Sequence, residues 1–300
     1  MPFPARLHPG ADLAERHARN ALAGWGLLGT PGARRRYDAL RPGHLTGRIY
    51  PDTRMPDLVL LTELVGVLFL LDDELDEGRL DLDGLAALGA GLLGILTARY
   101  RPRPGDDPYL VSLSHLWGRI AAARPPAWRR RFTRHVAEYV DACRREAVLR
   151  AAGTRLDLPA YVELRRAAGF ARPSTDLIEL AARIDVPDRA HAAPPLRALV
   201  DAAADLVLWA NDVVSFDRER AAGEVNNLVL ILDGDLAGLE RMLSLRLWGF
   251  LRLEESISPL WTELGLTRAE RTACQRYVIG LRHWVRGNLD WCGETTRYAS

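Results

Sequence analysis

The sequence predicts an all-α fold, because apolar residues recur at intervals of three and four and alternating strand patterns are scarce. The helical period is clear in residues 193–214 and again in residues 271–291. Prolines and glycines interrupt it at residues 31–32, 42–43, 101–108, 124–126, 159, 172–174, 187 and 194–195. These interruptions predict about ten helices joined by short connections.

The length and composition favour one large domain over residues 1–300. Of these residues, 48% are apolar, which is enough for a large buried core, and no linker or solenoid repeat divides the chain. The formal net charge of +1 gives no general attraction to nucleic acid or to an anionic membrane surface. Any anionic ligand must therefore be bound by a local site. The chain contains no lysine, which excludes mechanisms that need a catalytic lysine.

The cysteines and the apolar runs favour a cytoplasmic protein. Cys143, Cys274 and Cys292 are too far apart for the close spacing of a zinc site or for a paired disulfide framework. Prolines and charges fill the N-terminal region, where a signal peptide would need an apolar core. The apolar run of residues 58–71 is too short to span a membrane and contains Glu63, so it predicts a buried core helix.

An acidic cluster follows that apolar run. The helix is predicted to continue through Asp72, Asp73 and Asp76 and to end near Gly78. Acids at a helix C-terminus face the negative end of the dipole, at a cost of about 0.3–1 kcal/mol each, so a cation is expected to offset them. Their oxygens could converge on Mg²⁺, which commonly bridges carboxylates to phosphates. The alternative is a solvated acidic helix end.

A second line of oxygen ligands lies in the last third of the chain. Asn211, Ser215 and Glu219 are four residues apart on a predicted helix, so all three face the same way. Their amide, hydroxyl and carboxylate oxygens are sufficient for one Mg²⁺ if phosphate and water complete its shell. The alternative is an ordinary polar face, with Ser215 bonded to a helix carbonyl and Glu219 paired with Arg220. Two such lines in one bundle favour a shared cavity mouth.

At these residues the chain resembles the bacterial class I terpene synthases. Asp72, Asp73 and Asp76 match the aspartate-rich motif of that family. The second metal motif is matched in full, by Asn211, Asp212, Ser215, Arg218 and Glu219. Arg165 matches the diphosphate sensor of the family, Gly169 its effector glycine and Arg297-Tyr298 its terminal pair, while Ala168 departs from the usual linker residue. Arg166 is an alternative sensor.

The resemblance implies a single helical domain with a central active-site cavity and three Mg²⁺ ions. Asp72 and Asp76 would hold metal on one side, and Asn211, Ser215 and Glu219 would hold it on the other. Diphosphate would be bound by Arg165, Arg218, Arg297 and Tyr298. The carbocation left after ionisation would be stabilised by aromatic faces, for which Phe69 and Trp291 are the candidates.

The implied activity is Mg²⁺-dependent ionisation of an isoprenyl diphosphate and cyclisation of the cation. Farnesyl diphosphate is the common substrate of the family, and geranyl and geranylgeranyl diphosphates remain open. Two alternatives also stay open: a chain-elongating prenyl diphosphate synthase, and a noncatalytic helical protein that binds prenyl diphosphate. No nucleic-acid or membrane partner is expected, and a homodimer is left open.

Overall fold

The computed structural model describes residues 1–76, 82–103 and 105–298, except for the side chains of residues 75 and 76. The described residues form helices and no strand, which confirms the all-α prediction. In chain order the helices are α1 (Ala11–Gly24), α2 (Pro31–Leu40), α3 (Pro42–Ile49), α4 (Met55–Asp76), α5 (Leu82–Leu96), α6 (Pro108–Ala122), α7 (Pro126–Ala151), α8 (Leu158–Ala168), α9 (Ala171–Ala182), α10 (Asp188–Ala192), α11 (Pro194–Ala221), α12 (Leu228–Ile231), α13 (Leu236–Ser256), α14 (Ser258–Glu263) and α15 (Arg268–Cys292).

The described chain has more helices than the sequence predicts. Most of the predicted breaks are places where a helix begins. Pro31, Pro42, Pro108, Pro126 and Pro194 each lie in the first turn of a helix. A proline there sacrifices no intrahelical hydrogen bond, since the first N–H groups have no partner within the helix. Successive helices therefore follow one another closely, and short helices such as α10 and α12 fit between the long ones.

The break predicted at residues 172–174 is wrong by a few residues. Helix α8 is capped by Gly169, Phe170 adopts a left-handed conformation with φ of 52°, and α9 already begins at Ala171. Pro173 fits inside the first turn of α9, so it does not interrupt the helix. The chain bend thus lies at Gly169-Phe170.

Helix α4 is the buried core helix predicted from the apolar run. Leu58, Leu61, Val67 and Leu70 are at most 1% exposed, and α4 packs against α1, α2, α3, α6 and α9. No helix in the described ranges combines the length and apolar character needed to cross a membrane. The acids that follow Leu71 are therefore carried on a rigid, fully packed support.

Helices α3 and α15 meet backbone to backbone. A Cβ atom added to Gly287 would lie 2.6 Å from the carbonyl carbon of Arg48, closer than any side chain tolerates. This contact fixes the rotation of α15 about its own axis and hence the residues that α15 turns toward the centre of the bundle.

Candidate active site

Helices α4 and α11 bring the two predicted ligand lines to one cavity of about 190 Å³. The remaining wall comes from α3, α7, α8, α9 and α15. Hydrophobic side chains line most of it, and the polar groups at the end of α4, on α8, on α11 and in the C-terminal tail form what we call the mouth. The mouth comprises Asp72, Arg165, Asn211, Ser215, Arg218, Glu219, Arg297 and Tyr298.

The oxygen line on α11 faces the cavity as its spacing predicts. Asn211 Oδ1 accepts a hydrogen bond from Arg165 (2.9 Å), and Asn211 Nδ2 donates to the Tyr298 hydroxyl (2.8 Å). Ser215 Oγ donates to the carbonyl of Asn211 (2.8 Å), as the alternative reading expected, yet Ser215 still lines the cavity. These amide, hydroxyl and carboxylate oxygens are the hard ligands that suit Mg²⁺.

Glu219 is not paired with Arg220. Its Oε2 accepts a hydrogen bond from Asn227 Nδ2 (2.9 Å), whereas Arg220 lies 3.9 Å from Asp217 on the outer face of the helix. Asn227 also caps α12 by accepting from the N–H of Val229 (2.8 Å). The Glu219 side chain is thus oriented by a neutral amide, and it lines the cavity.

The acidic end of α4 is bound to the C-terminal tail. Arg297 donates to Asp73 Oδ1 (2.6 Å) and to Asp72 Oδ2 (3.1 Å), and Arg218 donates to the same Asp73 oxygen (3.2 Å). Asp73 is nearly fully buried, while 47% of the Asp72 side chain is exposed. Asp72 therefore presents its carboxylate to the cavity, and Asp73 anchors two arginines. The side chain of Asp76, also predicted to bind metal, lies outside the described residues.

Asp212 supports the mouth from behind. It accepts hydrogen bonds from Arg165 Nε (2.9 Å), from the Tyr161 hydroxyl and from the N–H of Leu228 (3.3 Å). Burial raises the pKa of its carboxyl, and the charge of Arg165 opposes that rise. With its oxygens occupied in this way, Asp212 positions Arg165 and does not face the cavity.

The two adjacent arginines of α8 have different surroundings. Arg165 lines the cavity and contacts Asn211 and Asp212. Arg166 forms a bidentate pair with the buried Asp205 (2.6 Å for each hydrogen bond), and Asp205 also forms an ion pair with Arg246 (2.6 Å). Of the two sensor candidates, the structure places only Arg165 at the mouth.

Gly169 lies against the hydrocarbon wall. A Cβ atom at this position would be 2.4 Å from Leu208 Cδ2, so a larger residue would force the Leu208 side chain to move. Ala168, Gly169 and Phe170 all line the cavity. The bend between α8 and α9 is therefore part of the cavity wall.

The two aromatic candidates contact each other below the mouth. The rings of Phe69 and Trp291 are 5.6 Å apart between centroids, and the Trp291 ring lies edge-on to Tyr298 at 6.0 Å. The guanidinium of Arg297 lies over the Phe69 ring, 4.9 Å from its centroid. Trp284 also lines the cavity and shares the helix face of Trp291 seven residues away, a spacing that could have identified it. Sequence reasoning missed further lining residues, among them Tyr50, Tyr139, Phe170 and Asn288.

Comparison with known proteins identifies the family. A sequence profile described as "Terpene synthase family 2, C-terminal metal binding" matches residues 63–236. The chain belongs to this terpene synthase family. Pristinol synthase of Streptomyces pristinaespiralis is 33% identical over 99% of this chain and 83% of its own length. A terpene synthase of Roseiflexus castenholzii, (+)-T-muurolol synthase ((2E,6E)-farnesyl diphosphate cyclizing), is 33% identical over 99% of this chain and 92% of its own length.

A solved terpene synthase structure has the same fold. Linalool/nerolidol synthase from Streptomyces clavuligerus, in complex with 2-fluorogeranyl diphosphate, superposes with a TM-score of 0.87 at 27% identity, covering 96% of this chain and 100% of that chain. The chain is a class I terpene synthase, a lyase that carries the helical bundle expected from its sequence. Chain elongation is not favoured. The metal-binding description of the profile agrees with use of a divalent metal.

Proposed function

We propose that this terpene synthase ionises farnesyl diphosphate with Mg²⁺ and converts the farnesyl cation into a cyclic sesquiterpene, releasing diphosphate. The main observation in support is that Asp72 of α4 and the oxygen line of α11 face one cavity, and that most of the remaining wall is hydrophobic. The farnesyl chain length is supported by the R. castenholzii relative, whose name states that it cyclises farnesyl diphosphate. Residues 1–300 would act as one domain.

The donor set fits Mg²⁺, because every candidate ligand supplies a hard oxygen. Asp72 and Asp76 would hold metal at the α4 side, and Asn211, Ser215 and Glu219 at the α11 side, with three ions in all. Bound there, Mg²⁺ supplies positive charge for the negative charge that develops on the leaving oxygens.

The arginines bind and orient the diphosphate. Arg165, Arg218 and Arg297 approach the mouth from three separate segments, and their planar forks suit phosphate oxygens. Tyr298 adds a hydroxyl donor, and burial raises the pKa of this hydroxyl to about 12, so it keeps its proton at neutral pH. Below them, Phe69 and Trp291 exclude water and present ring faces to the cation. Gly169, the proposed effector, transmits anion binding at Arg165 to the wall.

The test is to incubate the purified protein separately with geranyl, farnesyl and geranylgeranyl diphosphates. Inorganic diphosphate release and the mass spectra of the products are measured with Mg²⁺ and with a chelator. We expect cyclic C15 products from farnesyl diphosphate and loss of release under the chelator. Binding without release would indicate a noncatalytic prenyl-diphosphate protein, and turnover that requires isopentenyl diphosphate would indicate chain elongation.

A further inference from the structure

Asn288 places an amide on the hydrocarbon wall of the cavity, where the proposed function gives it no role. It lies on α15 between two cavity-lining tryptophans, about 6 Å along the axis from Trp284 and about 4.5 Å from Trp291. Trp291 contacts Tyr298 of the mouth, and Asn288 lies about one helical turn before Trp291.

The helix contact with α3 fixes the direction of this side chain. Gly287 faces the backbone of Arg48 and Ile49, and the next residue of an α-helix points about 100° away. Asn288 is thereby turned to the cavity, on the same helix face as Trp284, Trp291 and Cys292. A rotation of α15 that withdrew Asn288 would bring a residue with a side chain against the backbone of α3, where only glycine fits.

The amide is fixed by a hydrogen bond that leaves its oxygen unused. Asn288 Nδ2 donates to the carbonyl of Trp284 (2.7 Å). Because a main-chain carbonyl only accepts hydrogen bonds, the opposite orientation of the amide would place two oxygens against each other. No group in the described part of the chain donates to Oδ1. An amide oxygen without a partner in such surroundings costs about 1–3 kcal/mol, which a water molecule would offset.

Two hydroxyl-bearing side chains line the same cavity. Tyr50 donates its hydroxyl proton to the carbonyl of Ser174 (3.1 Å), which leaves the phenolic oxygen as an acceptor, and Ser174 itself lines the wall. A buried water needs between two and four polar partners, and Asn288, Tyr50 and Ser174 are three polar side chains that line this cavity.

We infer that Asn288 holds the water molecule that captures the carbocation, so that the product is a terpene alcohol. In this step a lone pair of the water oxygen forms a C–O bond to the cationic carbon. The water loses one proton to an oxygen of the released diphosphate, and the neutral alcohol remains. Asn288 Oδ1 accepts a hydrogen bond from the attacking water and sets which carbon it reaches, while the amide itself remains unchanged. The inference rests on the proposed function, because without ionisation there is no cation to capture.

The test compares the wild-type chain with Asn288→Leu, which removes the acceptor and keeps a side chain branched at Cγ. Farnesyl diphosphate is turned over with Mg²⁺ in H₂¹⁸O, and diphosphate release is measured separately from the alcohol-to-hydrocarbon ratio. We expect ¹⁸O-labelled alcohol from the wild type. In Asn288→Leu the ratio should fall about tenfold, the effect of one lost hydrogen bond, while diphosphate release changes little.

Two further variants separate capture of water from a change of cavity shape. Leu177→Ile reshapes the wall without removing a polar group and should keep the labelled alcohol as the main product. Asn288→Met replaces Asn288→Leu if circular dichroism shows the latter unfolded. Unlabelled hydrocarbons alone from the wild type, or an unchanged ratio in the Asn288 variants, would overturn the inference. Absence of diphosphate release from the wild type would instead overturn the proposed function.

Discussion

Two clusters of arginines and carboxylates lie far apart along α7, and they differ in what their oxygens can reach. One is the mouth, which lies near Glu146 of α7. Burial raises the pKa of Glu146 to about 7, and the charge of Arg165 opposes this rise. The other surrounds Arg131, fifteen residues earlier and about 22 Å along the helix axis. We call it the distal network, and it consists of Arg131, His135, Asp176, Glu179 and His191.

The distal network is closed. Arg131 donates to Asp176 (2.9 Å) and to Glu179, and all three side chains are at most 5% exposed. His135 contacts the second oxygen of Asp176 (2.7 Å), and His191 contacts Glu179 (2.9 Å). Each buried carboxylate oxygen has a partner within the protein, so the network joins α7, α9 and α10, and its carboxylates are already paired where the network borders a surface cleft.

The mouth keeps its oxygens available. Asp72 is about half exposed, and Ser215 and Glu219 line a cavity that continues into an apolar wall. The comparison teaches that charge clustering alone does not mark an active site. The mark is a set of exposed hard oxygens that open onto a cavity with an apolar wall, and the predicted effects of mutation separate accordingly into activity and stability.

The largest effect is expected at the metal ligands. Glu219→Ala or Asn211→Ala should lower turnover of farnesyl diphosphate by about a thousandfold, because charge on the leaving group is no longer compensated. The melting temperature should change little. Asp217→Ala, on the exposed face of the same helix, is the matched control and should retain activity. Full activity in the Glu219 or Asn211 variant would contradict the assignment.

The distal network should show the opposite pattern. Arg131→Met leaves two buried carboxylates without their cation, so the free energy of unfolding in urea should fall by about 3–5 kcal/mol. The turnover number of the folded fraction should not change. Arg130→Met, at the exposed neighbouring position, should alter stability by no more than about 0.5 kcal/mol. Equal losses in both variants would show that the network is not structural.

The tail tests whether the mouth extends to the end of the chain. Deleting residues 297–300 removes Arg297 and Tyr298, which contact Asp72, Asp73 and Asn211, and should lower turnover about a hundredfold. Deleting residues 299–300 alone is the control and should have little effect. If both truncations are equally active, the tail is not part of the site.

The smallest effect concerns acid stability. Burial alone would raise the pKa of Asp176, but the hydrogen bond and charge of His135 and the charge of Arg131 outweigh it and hold the pKa below the ordinary 3.8. A depressed carboxyl pKa stabilises the fold above pH 3.8, and this stabilisation is lost as the pH falls through the lower folded-state value. Urea unfolding curves should therefore show stability falling below about pH 4. In Asp176→Asn this dependence should be weaker.

The sequence predicted those parts of the site that lie on single uninterrupted helices. Asn211, Ser215 and Glu219 share one face because α11 is continuous. Asp72 directly follows a long apolar run, which predicts a buried helix. Helical spacing places Asn288 on the same face as Trp291, but that this face turns toward the cavity depends on the contact between Gly287 and Arg48, which are far apart in sequence. The α8–α9 bend was misplaced for a local reason, because proline is equally compatible with a break and with a first helical turn.

The contact between Gly169 and Leu208 has a consequence for protein engineering. Leu208 belongs to the hydrocarbon wall, and Gly169 caps the helix in which Arg165 lies one turn earlier. Because a methyl group at position 169 would lie 2.4 Å from Leu208 Cδ2, the Leu208 side chain packs directly on the backbone of the bend. A larger side chain at position 208, chosen to redirect the product, would therefore press on the cap of the helix that carries Arg165. Product selectivity and catalytic rate are not independent design variables at this wall, so libraries that vary residue 208 should vary the bend at residues 168–170 with it.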